Sequence, residues 1–206
     1  MRSITPVKPI DGFSARWDAI MAAARAAPAG KTFRIVIVGG GAGGVELALC
    51  MQHRLSDVLA ARNHELSAEA AAEAGAEADA DSLSEEDQVK LSVALLTRGP
   101  CILRAHNPRV RAAIMRIMHE RSIAVHVQHE AIGVLPLQFG TDTDDTRGGA
   151  AAGDDDDAGS TGLLECADGS THPFDECLWC TQARGARWLA QTGLELDEMG
   201  FIKVGC

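Results

Sequence analysis

Three glycines carry the sharpest chemical signal in the chain. Gly39, Gly41 and Gly44 lie in the stretch FRIVIVGGGAGGVELA and satisfy the spacing G-x-G-x-x-G. The spacing suits a pyrophosphate. The first glycine permits a tight turn, the second lets the backbone approach the anion, and the third lets a helix pack closely on the preceding strand. Free N–H groups at the start of that helix then face the phosphates. Gly39, Gly40, Gly41, Ala42, Gly43 and Gly44 are therefore the candidate cofactor-binding turn. With 21 glycines in 206 residues the pattern alone is weak, and a glycine-rich turn that binds nothing is the plain alternative. Its context adds weight, because a buried apolar run precedes it and helix-compatible sequence follows.

Further residue types could do chemistry near such a turn. Glu46 lies two residues past Gly44, where it either complements the helix dipole or faces a nicotinamide or flavin. The next strand would normally end in an acid that accepts from the adenine ribose hydroxyls. Here it ends Leu95, Leu96, Thr97, Arg98. Arg98 either meets a 2'-phosphate, favouring NADPH, or is an ordinary strand-end arginine, so NADH and NADPH both stay open. Cys177 and Cys180 form C-x-x-C, but they lie in a predicted strand, where a separation of three turns them to opposite faces. Redox pairs belong at helix N-termini, so the reading is two structural thiols. The seven histidines show no metal-ligand spacing on one element. His126 and His129 flank a strand end and read as surface or turn residues. No metal ligand and no catalytic residue is assigned.

These groups need elements to hold them. Trp17, Ile20, Met21 and Ala24 have the spacing of one helical face within residues 14–27. Residues 33–38 form an apolar run rich in β-branched side chains, as in a strand buried on both faces. A helix is expected from Gly44 towards Leu66, and strands over residues 89–97, 123–127 and 131–137. Asn107 and Pro108 are good N-cap and first-turn residues for a helix whose face would be Val110, Ala113, Ile114, Ile117 and Met118. Strands over 163–167 and 174–180 follow, joined through Asp168-Gly169 as a hairpin-type turn. A short helix around Trp188 and an extended piece at 201–204 complete the chain. Alternating strands and helices predict an α/β, Rossmann-like parallel sheet with right-handed crossovers and an antiparallel meander.

The net charge of -10 is not spread evenly. Residues 67–88 hold eight acids and residues 141–162 hold seven, and the rest of the chain has 14 acids against 18 bases. Both tracts are rich in Ala, Gly, Asp and Glu and are expected to be disordered, solvated insertions. Nucleic acid is excluded as a partner, since the tracts would repel it. No stretch reaches the ~20 apolar residues of a membrane span, and no signal peptide is evident. An intracellular, most simply cytoplasmic, protein with reduced cysteines is expected, with organellar targeting as the alternative.

Taken in order, GGGAGGVELA, LLTRG, HNPRVR, the ADGS turn and FDECLWCTQA resemble the NAD(P)H-binding domain of flavin-dependent pyridine nucleotide-disulfide oxidoreductases, on the side of type II NADH dehydrogenases. More narrowly they resemble the dehydrogenase-like module fused in some organisms to selenophosphate synthetase. The resemblance implies that hydride passes from NAD(P)H to FAD, that Gly39, Gly41 and Gly44 hold the pyrophosphate, that Glu46 lies near the nicotinamide, and that Gln182 sits at the matching strand end. It divides the chain into a linker over 1–31, leading from an FAD domain, and an NAD(P)H domain over 32–206. The FAD fingerprint and the redox C-x-x-x-x-C of such enzymes are not found, so the chain is expected to be an incomplete piece, little active alone. A nucleotide-sensing or scaffold module is the alternative, and an enzyme using S-adenosylmethionine is a third. The electron acceptor stays open among quinone, a disulfide, and a selenium or sulfur species.

Overall fold

Phe33 to Val38 is the most apolar run in the chain, and it becomes the centre of the molecule. The computed structural model describes residues 5–7, 12–74, 83–135, 162–181 and 187–204. Its elements run β1 (Thr5–Pro6), α1 (Phe13–Arg25), β2 (Thr32–Val38), α2 (Ala42–Ala74), β3 (Lys90–Thr97), α3 (Pro108–Glu120) and β4 (Ile123–Val127). Three strands of a meander follow, β5 (Ala131–Leu135), β6 (Gly162–Cys166) and β7 (Thr171–Phe174), then β8 (Glu176–Trp179) and a 3-10 turn (Arg187–Gln191).

The parallel sheet has the order β1-β8-β2-β3-β4, and β5-β6-β7 form a separate antiparallel sheet. Ile35 pairs in register with Val93 on one side and Glu176 on the other. The result is the α/β architecture that the alternation predicts. Because helices cover one face of β2 and the meander the other, its side chains are buried on both faces. Phe33, Ile35 and Ile37 join Ile20, Met21, Ala24, Val45, Met51 and Leu55 in the larger core. Val36 and Val38 join Leu96, Leu164, Cys166, Phe174 and Cys177 in the smaller one. α1, the helix expected within the 1–31 helix/linker segment, contributes to the same core as β2 and α2.

Three differences from expectation have local causes. First, α2 runs on to Ala74, eight residues into the first acidic tract. Ala and Glu are among the best helix formers, and extending a helix already nucleated is far easier than starting one. Asn63 anchors this stretch, accepting from the Val89 N–H at 2.8 Å and donating to the Val89 carbonyl at 3.1 Å. Second, the strand expected over 174–180 is two strands in different sheets. Asp175 makes the crossing: its N–H donates to the Arg34 carbonyl at 2.9 Å, and its Oδ2 accepts from the Arg34 N–H at 2.8 Å. Third, on α3 Met118 is buried while Val110 is 42% exposed, so the expected stripe is seated only at its C-terminal half. The α3 cap itself is as read, with Asn107 Oδ1 accepting from the Arg109 N–H at 2.7 Å. β5 and β6 pair antiparallel, and most of the second acidic tract, 141–161, lies outside the described residues.

Candidate dinucleotide site

The strand order puts β2 at the point where the sheet's connections diverge, with β3 and β4 on one side and β8 on the other. In open α/β sheets that crevice, at the carboxyl ends of the strands, is where nucleotides bind. Three strand ends converge there on the glycine turn. The Gly39 N–H donates to the Leu96 carbonyl at 2.8 Å, the Leu103 N–H to the Gly40 carbonyl at 2.7 Å, and the Cys180 N–H to the Val38 carbonyl at 2.8 Å.

Within the turn the glycines divide the work. Gly39 has φ of +131°, which side chains rarely adopt. A Cβ on Gly44 would overlap the Gly39 carbonyl oxygen and come within 3.0 Å of its carbon, so only glycine lets α2 start so close to β2. A Cβ on Gly40 would meet the Thr97 Cβ at 2.7 Å. At Gly41, by contrast, no protein atom lies within 4 Å of where a Cβ would be, although the residue opens the helix. Tight packing therefore accounts for Gly39, Gly40 and Gly44 but not for Gly41 or Gly43, which are equally open. Open space at those positions is what a pyrophosphate approaching the backbone needs.

The remaining sequence-selected residues are placed as follows. Ala42 and Gly43 form the first two positions of α2, both exposed. Glu46 is its fifth residue, just past the first turn, and exposed. Arg98 follows β3 directly and is exposed. Gln182 lies outside the described residues. Cys177 joins the meander-side core and Cys180 packs on the helix-side core, which gives the opposite faces that strand geometry requires. Burial, chiefly, pushes the Cys177 thiol up to about 12. Asp175 and Glu176 are buried, bonded by Lys31 and Arg16 respectively; they belong to the sheet's other end and are structural. A shallow depression beside Arg25, Arg54 and Asp57 lies some twelve residues along α2 from the turn, about 18 Å away.

One assembly was not visible in the spacing. His126 on β4 and His129 just after it meet His172 on β7, with ring centroids 4.6–5.2 Å apart. His129 Nδ1 lies 3.1 Å from His172 Nε2. Burial, then the His126 and His129 charges, bring His172 down to about 4, and burial followed by His129 lowers His126. The signal was hidden because His172 is 43 residues from His129 in sequence, on another sheet.

The profile of the pyridine nucleotide-disulphide oxidoreductases matches residues 2–205, nearly the whole chain. The chain belongs to that family. Its members are flavin-dependent oxidoreductases that typically bind FAD and NAD(P)H. No curated protein matches the chain. The residues present fit a dinucleotide at the turn after β2, through the vacant side of Gly41 and the N-terminus of α2. Among the described residues of this reductase-family chain that is the single strand–glycine turn–helix unit. No helix among them is long and apolar enough to cross a membrane.

Proposed function

We propose that the chain is the NAD(P)H-binding portion of a flavin-dependent oxidoreductase and works against an FAD domain that these residues do not build. The observation that carries this reading is the open backbone at Gly41 and Gly43, on the exposed side of a strand–helix turn whose other glycines packing does require. A bound nicotinamide supplies the hydride. The chain's own part is to bind and orient: amides at the start of α2 take the pyrophosphate, Gly39 and Gly44 hold that helix end against β2, and the Leu103 amide fixes Gly40. Glu46, one turn into the helix, is then placed alongside the dinucleotide. Trp188, Leu194, Phe201 and Ile202, all more than 40% exposed, supply apolar surface of the kind that a neighbouring domain covers. A more specific kinship with the selenophosphate-linked module rests on the sequence motifs alone.

Calorimetric titration of the purified chain with NADH, NADPH and S-adenosylmethionine tests this. Saturable binding of a reduced nicotinamide, with no flavin needed, is expected. No binding at millimolar concentration, or a preference for S-adenosylmethionine, overturns it.

A further inference from the structure

The dinucleotide site leaves the histidine cluster without a role. It lies across the carboxyl end of β3 from the glycine turn, on the meander side of the sheet: Leu96 and Thr97, which meet Gly39 and Gly40, pair with or bond His126 and His129 on the other side. His126 pairs in register with Leu96, whose side chain belongs to the meander-side core. His172 has the same strand parity as Phe174, which faces that core from β7. His129 is set between them by its own N–H, which donates to the Thr97 carbonyl at 3.1 Å. Backbone geometry from two segments, the end of β4 with its turn and β7, therefore brings three imidazoles together.

We propose that His126, His129 and His172 form a transition-metal site, with zinc as the fitting ion. One ring nitrogen from each residue can be chosen so that all lie within 4.8 Å of one another. The His129 Nδ1 to His172 Nε2 separation of 3.1 Å is close to the roughly 3.4 Å between two nitrogens of a tetrahedral zinc with bonds of about 2.0–2.1 Å. All three rings are half-buried, so an ion can reach them. Ser170 Oγ sits 3.2 Å from His129 Nδ1 and donates to Asp168 Oδ1 at 2.7 Å. Because the contact with His129 is to the nitrogen offered to the metal, an ion bound at Nδ1 takes the place of Ser170 there.

His129 is also shared with a second possible donor set, Cys166 and Asp168; the proposed site is the set of three imidazoles, whose rings meet one another. Imidazole sets of this kind suit zinc, copper, nickel or iron, and not calcium or magnesium. Bound there, the ion clasps the meander to edge strand β4, where the smaller core has little apolar material.

The chain, stripped with EDTA, is titrated with zinc and, separately, with Co2+ as a visible probe. One saturating equivalent, a raised thermal transition and the intense visible bands of tetrahedral Co2+ are expected. His126→Gln and His172→Gln should each bind zinc at least about 100-fold more weakly and lose the bands, whereas His53→Gln, an exposed residue of α2, should bind as the parent does. Absence of saturable binding, or unchanged affinity in both cluster variants, overturns the proposal. If a variant fails to fold by circular dichroism, X-ray absorption on the zinc-loaded parent decides: a shell of imidazole nitrogens supports the site and a sulfur ligand contradicts it.

Discussion

Replacing Gly41 with alanine separates binding from folding. In the free protein the added methyl has no protein atom within 4 Å, and the backbone there is outside the left-handed region. Loss of unfolded-state freedom favours alanine by about 0.4–1 kcal/mol, and the poorer fit of alanine at a helix start offsets much of it. Stability should stay within about 1 kcal/mol of the parent. A dinucleotide sees something different, because the methyl stands where its pyrophosphate approaches. Losing one charge-assisted hydrogen bond there costs about 1.5–3 kcal/mol, roughly a 10- to 100-fold weaker dissociation constant. Urea denaturation measures the first quantity and NADH titration the second. Gly44→Ala is the contrast: its methyl overlaps the Gly39 carbonyl, and about 1–3 kcal/mol of overpacking outweighs a helix-propensity gain of about 1 kcal/mol. If Gly41→Ala folds normally and binds NADH within twofold of the parent, the turn does not hold the pyrophosphate.

Other consequences follow from single contacts. Asp175→Ala removes the acceptor at 2.8 Å from the Arg34 N–H and the Lys31 ion pair at 2.7 Å, so urea denaturation should show a loss of about 2–4 kcal/mol. NADH affinity of the folded protein should not change, since Arg34 is five residues, about 16 Å, from the turn. Cys177, held well above its ordinary 9.0 at about 12, keeps its proton when folded and loses it when unfolded in that interval. Stability should therefore fall as pH rises from about 9 towards 12, less so in Cys177→Ala, and native-state alkylation at pH 8 should reach exposed Cys50 and spare Cys177. Arg98→Ala should weaken NADPH at least about tenfold more than NADH if Arg98 meets the 2'-phosphate; equal effects would make it an ordinary surface arginine.

How much the chain disclosed before folding depended on distance. The buried strand Thr32–Val38 and the glycine turn were legible because period, composition and spacing all act within sixteen residues, and Asn107 marked its helix start by itself. Composition misled at residues 67–74, where low hydrophobicity resembled disorder although alanine and glutamate extend an existing helix. Asp175 could not be read as a sheet crossing, because its partner Arg34 lies 141 residues away. The same holds for the histidines: two neighbours at a strand end gave no signal until the meander brought His172 onto them. The role of Gly41 was legible as a motif position, but that packing does not explain it emerged only from the space around it.

The central claim is that the turn after β2 receives a nicotinamide dinucleotide. Amide NMR of the 15N-labelled chain during titration with NADH tests it at the residues concerned. The account predicts saturating shifts concentrated on Gly39 to Glu46 and on Thr97 to Gly99 at the neighbouring strand end. Shifts confined to the depression between α1 and α2, or none that saturate, would contradict it.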